Sequence, residues 1–462
     1  MIEGLKPYPV YRASGLPWLD QIPEHWRVRR NGTLFTQRNE TGFGELPILE
    51  VSLRTGVRVR DMDSGRKQIM SDREKYKRAA RGDLAYNMMR MWQGALGVVP
   101  LDGLVSPAYV VAQPLPDADP TFYCELFRTP EYLREVDKYS RGIVADRNRL
   151  YWEGFKQIPS PWPSPDEQRA IVRFLHYADR RIRKYIAAKR KLLVLLEEQK
   201  RAIVHRAVTK GLDQRMPLRE SGIEWLGQIP AHWNIRRLKD ETQFQNGFAF
   251  KPTDWKPEGM PIIRIQNLNG SEEFNFSDRE DIPARFVVAP GDLLFAWSGN
   301  VGTSFGSFIW DRPFKGYLNQ HIFKLHGYSM NRMFFAYLLR GVTAHVEEQS
   351  HGIIGLVHVS KPELGAIRIP VPPEPEQREI ADWIGQHTRR ISDAVDHARR
   401  ELSLLHEYRN RLTSDVVTGK FDVREAAARL PDEPGEALAA EDPLDDAEAD
   451  ETDEADEAET AA

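Results

Sequence analysis

SGLPWLDQIPEHWRVRR, from Ser14 to Arg30, returns as SGIEWLGQIPAHWNIRR from Ser221 to Arg237, with 11 of 17 positions identical at an offset of 207. Agreement over that length is duplication, and it continues outward from the quoted stretch. The triplet Gly82-Asp83-Leu84 reappears as Gly291-Asp292-Leu293, now 209 residues on. Glu167, Gln168, Arg169 and Ile171 are matched by Glu376, Gln377, Arg378 and Ile380, also 209 apart. A unit of about 200 residues in two copies is too long and too few for a solenoid, so two similar units with pseudo-twofold symmetry are expected.

Each copy has the same internal plan. LPILEVSL around Leu49, MPIIRIQNL around Ile263, AYNMMRMW and LFAWSGN are short apolar runs that suit strands and turns. DPTFYCELFRTPEYLREV and NRMFFAYLLRGVTAHVEEQ carry apolar residues at helical spacing, giving a mixed α/β globule of about 150 residues. A proline-rich hinge then precedes a long helix in each copy. In the first, Ile171, Leu175, Ala178, Ile182, Tyr185, Leu192, Leu196 and Ile203 follow steps of three and four, interrupted by Lys189 and Gln199. In the second, Ile391, Val395, Ala398, Leu402, Leu405, Leu412 and Val416 keep that rhythm. At about 1.5 Å per residue, a stretch of about 43 residues reaches roughly 64 Å, too far to fit one globule. Two matched seams in one chain predict an antiparallel coiled-coil pair.

Composition narrows the class. With 41% hydrophobic and 29% charged residues and a mean hydropathy of −0.53, the chain suits a soluble protein. It shows no signal peptide or membrane span. The single cysteine, Cys124, allows no internal disulfide and fits a reducing cytoplasm, where it reads as a small buried apolar residue. Residues 431–462 hold 15 Asp or Glu and no Lys or Arg, which leaves 64 basic against 53 acidic side chains in residues 1–430. The acidic tail is expected to be disordered and to aid solubility, with shielding of the basic body by DNA mimicry as the alternative. Residues 166–212 alone carry 13 basic against 5 acidic side chains, including Arg180, Arg181, Arg183, Lys184, Lys189, Arg190 and Lys191. That excess suits an acidic partner or a phosphate backbone.

Phosphate-loop, dinucleotide, zinc-hydrolase and serine-elbow signatures are missing from the sequence. Glu198-Gln199-Lys200 matches half a nuclease motif but falls on the long helix, without a partner carboxylate. His25 and His232 read as packed, hydrogen-bonded imidazoles, and Trp18, Trp26, Trp225 and Trp233 as core or hinge packing.

The duplicated SGxxWLxxIPxHWxxRR, each copy followed by a globule, a proline hinge, EQRxI and a long helix, resembles the specificity subunit of type I restriction-modification systems. The resemblance covers residues 1 to about 422. It implies an α+β fold: two similar mixed α/β target-recognition domains separated by two long antiparallel coiled-coil helices, pseudo-twofold symmetric. On that plan, residues 1–160 are the first target-recognition domain and 161–215 the central spacer helix. Residues 216–372 are the second recognition domain, 373–422 the C-terminal spacer helix and 423–462 a disordered acidic tail. The resemblance further implies a non-catalytic cytoplasmic subunit whose partners are double-stranded DNA, two modification (methyltransferase) subunits and restriction (translocase and nuclease) subunits. S-adenosylmethionine, ATP and Mg would sit on those partners, with no metal or cofactor on this chain.

Sequence readers are expected among polar residues in or beside glycine-rich loops. In the first half these are Arg54, Arg58, Asn87, Arg90, Gln93, Arg141, Arg147 and Arg149. In the second they are Arg264, Gln266, Asn267, Asn300, Lys315, Asn319, Gln320 and His351. Gly142-Ile143 and Gly352-Ile353 would shape a matching loop. Because the globules differ more than the repeated motifs, the bipartite site should be asymmetric. A two-headed scaffold binding protein or sugar is the alternative, and an autonomous nuclease a third reading.

Overall fold

The computed structural model describes residues 5–53, 55–61, 73–141, 148–349 and 356–431. The chain divides into two units. One comprises Met1–Ile186 with Ser403–Ala462, the other Ala187–Leu402. Each unit therefore takes one globule together with a part of both long helices.

In the first unit, strands β1 (Phe35–Arg38), β2 (Leu84–Asn87), β3 (Leu96–Val98) and β4 (Tyr109–Pro114) form an antiparallel sheet in the order β1-β4-β2-β3. In the second, β5 (Gln243–Asn246), β6 (Leu293–Ala296), β7 (Gly306–Ile309) and β8 (Ile322–His326) repeat that topology as β5-β8-β6-β7. The Gly-Asp-Leu triplet explains why this is where the copies agree. Gly82 and Gly291 enter β2 and β6 at φ +88° and +90°, a left-handed turn that a side chain resists. The following aspartate accepts from the amide three residues back, Ala80 at 2.9 Å or Ala289 at 2.7 Å. It also pairs with a cation on the sheet, Arg38 at 2.7 Å or Lys324 at 2.5 Å. The triplet is thus a turn that launches the central strand.

The expected helices form with one difference. The first-half stretch breaks into α1 (Pro120–Phe127) and α2 (Pro130–Tyr139), because Pro130 lacks an amide hydrogen and Thr129 caps a new start. The second-half stretch is a single helix, labelled α4 below in chain order. In MPIIRIQNL only Met260–Ile263 is strand; Ile265–Leu268 turns into one helical turn, with Asn267 accepting from the Arg264 amide at 2.9 Å. AYNMMRMW, expected to be strand and turn, is strand to Asn87 and enters a 3-10 turn at Met91–Gln93.

The long helices are α3 (Pro165–Lys210) and α5 (Glu374–Val417), with α4 (Arg332–Gln349) between them. They run antiparallel in both units. In the first, Arg409 pairs with Asp179 at 2.5 Å. In the second, Lys189 meets Glu401 at 2.6 Å and Glu197 meets Arg399 at 3.4 Å, while Ala207, Val208, Ile380 and Ile384 share one core. Ile171, Leu175, Ala178 and Ile182 are buried as expected, and so are Val395, Ala398, Leu412 and Val416. The seam of α3 departs from the expected register at Tyr185, which is 54% exposed, with Ile186 buried in its place. Leu192 is 41% exposed as well, and Lys189 takes a seam position through its ion pair. At the far end Val423 and Ala427 are buried around α6 (Arg424–Ala428), so helix begins the stretch expected to be tail. No helix among the described residues is long and apolar enough to cross a membrane.

Candidate nucleic-acid interface

The repeated motifs build a clamp at the base of each globule. Arg27–Arg30 pairs with Pro159–Trp162, and Asn234–Arg237 with Arg368–Val371, so the HW segment lies against the hinge that starts the long helix. Glu167, with its side chain 3% exposed, accepts from Trp26 Nε1 at 3.0 Å and Tyr8 OH at 2.7 Å and contacts His25 Nε2 at 2.9 Å. Glu376 accepts from Trp233 Nε1 at 3.0 Å and contacts His232 Nε2 at 2.9 Å. The next residue pins the globule: Gln168 accepts from the Asp119 amide at 2.7 Å, and Gln377 from the Asn331 amide at 2.8 Å. Asp119 and Asn331 cap α1 and α4. His25 and His232 are hydrogen-bonded as expected but not packed away, with side chains 46% and 36% exposed, whereas the packing role of Trp26 and Trp233 holds, each 1% exposed.

Each clamp is closed by the end of a long helix, which the sequence reading did not anticipate. Gly211, after α3, packs on Trp233 and Glu376, and Gly419, after α5, on Pro23 and Trp26; both have positive φ, +69° and +81°. A Cβ on Gly419 would lie 2.6 Å from Pro23.

With the shared motifs accounted for as framework, the candidate readers lie where the copies diverge. Leu150 N donates to Met88 O at 2.9 Å, and Val359 N to Trp297 O at 2.9 Å. Both partners are 209 residues apart, so each globule builds the same corner just beyond its central strand. Arg90 and Gln93 lie on the turn that follows Met88, and Arg141 and Arg149 exchange two backbone hydrogen bonds of 3.0 Å at this corner. Arg141, Arg149 and Gln93 are exposed. Asn87 is 9% exposed and accepts from the Met89 amide at 2.9 Å, which makes it a turn residue. Arg58 pairs with Glu50 at 2.7 Å on the neighbouring hairpin.

In the second globule, Arg264, Gln266 and Asn319 come together with His321 around a cavity of about 120 Å³. Arg264 is oriented by Asn275 at 2.9 Å and by the Trp255 ring, 5.5 Å away. Asn267, 3% exposed, is fully committed to the turn, also donating to Ser271 O and Glu273 O. Gln320 adjoins His321 at 3.2 Å, and its carbonyl accepts from Trp297 Nε1 at 3.1 Å. Trp297 lies between His321 and His358, with ring centroids at 5.2 and 4.9 Å. Asn300 is exposed on Ser298–Asn300, the strand that pairs with Leu356–His358. Lys315 is exposed and outside this group. His321, His358 and Trp297 were missed; the available signal was His358 standing 209 residues beyond Arg149, a basic residue in both copies. Arg54, Arg147 and His351, with Gly142, Ile143, Gly352 and Ile353, lie outside the described residues.

No group of three His, Cys, Asp or Glu able to hold a metal occurs among the described residues. Cys124 is buried, and burial pushes its thiol up to about 11.

Residues 230–397 match the family model of the type I restriction modification DNA specificity domain. This stretch is similar to a type I DNA specificity domain. The resemblance seen in the repeated motifs extends to parts of curated relatives. The MjaVIII type I restriction enzyme specificity subunit of Methanocaldococcus jannaschii is 24% identical over 283 residues, 58% of this chain and 64% of that protein. The EcoBI specificity subunit of Escherichia coli is 26% identical over 208 residues, 44% of this chain and 42% of that protein. The chain thus spans less than two thirds of the length of these curated relatives. A solved chain from work on complex assembly and conformational transition of the type I R-M system has the same fold. It has a TM-score of 0.62 at 15% identity and covers 86% of this chain and 99% of that one. The cavity with Arg264, Gln266 and Asn319 lies within the matched residues.

Proposed function

We propose that this chain is the DNA sequence-recognition subunit of a type I restriction-modification complex. The observation that carries the reading is the pair of equal-offset corners on one framework, bearing different side chains: Arg141 and Arg149 in one, Gln320, His321 and His358 in the other. Two like scaffolds with unlike reading surfaces suit two different half-sites, so the bipartite target is asymmetric. Gln266, Asn319 and Gln320 offer amide groups that can pair with base edges, while Arg and Lys supply phosphate contacts and salt dependence. The long helices serve as the spacer and as the docking surface for two modification subunits, which bind S-adenosylmethionine and methylate adenine. Restriction subunits add ATP- and Mg-dependent translocation and cleavage. The chain itself is non-catalytic and cytoplasmic.

Mapping methylated adenines in the source genome before and after loss of this chain tests the proposal. A gapped, two-part motif that vanishes with the chain is the expected result. Methylation that persists unchanged, or DNA affinity of the assembled complex that ignores salt, would favour the two-headed scaffold instead.

A further inference from the structure

Arg169, Arg173, His176 and Arg180 step along α3 at spacings of four, three and four, which puts them on one face. All four are exposed, and with Val172, Tyr177 and Asp119 they line a groove of about 300 Å³ in the first unit. Asp119 is committed to capping α1, accepting from the Thr121 and Phe122 amides at 2.8 and 3.2 Å. One rim of the groove is Leu430 and Pro431, whose carbonyls accept from the Arg173 guanidinium at 2.8 and 3.3 Å. The 31 residues that follow, 432–462, contain all 15 carboxylates of the acidic tail and no Lys or Arg. Asp432 and Glu433 come first, within about 7 Å of chain from the rim.

We propose that residues 432–462 occupy this groove, their carboxylates pairing with Arg169, Arg180 and the basic face of α3, so that the chain covers part of its own positive surface. The reading is independent of what the two globules bind. A charged contact of this kind is solvent-facing and therefore sensitive to salt and to loss of either set of charges.

The test uses the full chain with a dye on the thiol of Ala440→Cys; Cys124 is buried and does not compete for label. Time-resolved anisotropy should show a slow component at about 50 mM NaCl that falls at least ~2-fold at about 500 mM. Arg169→Gln with Arg180→Gln should release the dye at low salt. So should Asp432→Asn with Glu433→Gln and Glu436→Gln, which leaves the folded body untouched. Free tumbling in the parent at low salt, or restraint that survives both sets of substitutions, overturns the proposal.

Discussion

Removing the Glu167 carboxylate should unfasten the first globule far more than the equivalent change unfastens the second. Glu167→Ala strips the acceptor from Trp26 Nε1 and Tyr8 OH, whose residues are 1% and 3% exposed, so water has no access to replace it. A buried donor left without a partner costs about 1–3 kcal/mol, which puts two at about 2–6 kcal/mol. His25, with its side chain 46% exposed, turns to solvent at little cost. Glu376→Ala orphans one buried donor, Trp233 Nε1, and the Glu376 side chain is itself 25% exposed, so the loss is about 1–3 kcal/mol. The expected difference is about 1–3 kcal/mol, or roughly 5- to 150-fold in opening equilibrium. Hydrogen exchange on peptides covering residues 19–30 and 228–237 reads each unit separately. Equal losses, or a larger loss at Glu376, would refute the argument that burial and the number of shared donors set the strength of the clamp.

Four further outcomes follow from the same geometry. Gly247→Ala would place a Cβ 2.0 Å from the Asn319 carbonyl, whereas at Gly82 it would meet nothing within 4 Å. In urea titrations the first should cost well over the ~1 kcal/mol of left-handed strain expected at the second. Burial lowers the imidazoles of His205 and His345, which flank Trp225 with Glu348 and Glu224 nearby. The unfolded chain then binds protons first, so the second unit should lose stability as pH falls below about 6.5, and His205→Gln with His345→Gln should flatten the urea midpoint against pH. On the proposed function, Gln266→Ala should relax preference at one base pair by about 1–3 kcal/mol in competition binding. Lys315→Ala should instead weaken all sequences alike and reduce the salt slope by about 1.

What the sequence made legible was the framework, because motifs that hold a fold twice must be spelled twice. Gly82 and Gly291, Glu167 and Glu376, and Gln168 and Gln377 do the same physical work in both units. Helix existence was equally clear, but its finer phase was not. Tyr185 fits a spacing of three from Ile182 as well as Ile186 fits four, and only packing decides that Ile186 turns inward. The site was legible in part. Asparagine in a glycine-rich loop looks the same whether it reads a base or holds a turn, and Asn87 and Asn267 hold turns. Trp297, His321 and His358 belong to segments distant in the chain that meet only in three dimensions. The docking of Gly211 and Gly419 onto the tryptophans had no local signal, since a glycine after a helix ordinarily means a stop.

The contact between Gly419 and Trp26 has a topological counterpart, for Asp422 N donates to Lys6 O at 2.8 Å beside it. Residues near 6 and residues near 422 are therefore neighbours within the first unit. Joining residues near 422 to residues near 6 by a short linker, and opening the chain instead in the stretch after Gly211, would exchange which globule is made first while leaving every clamp its partners.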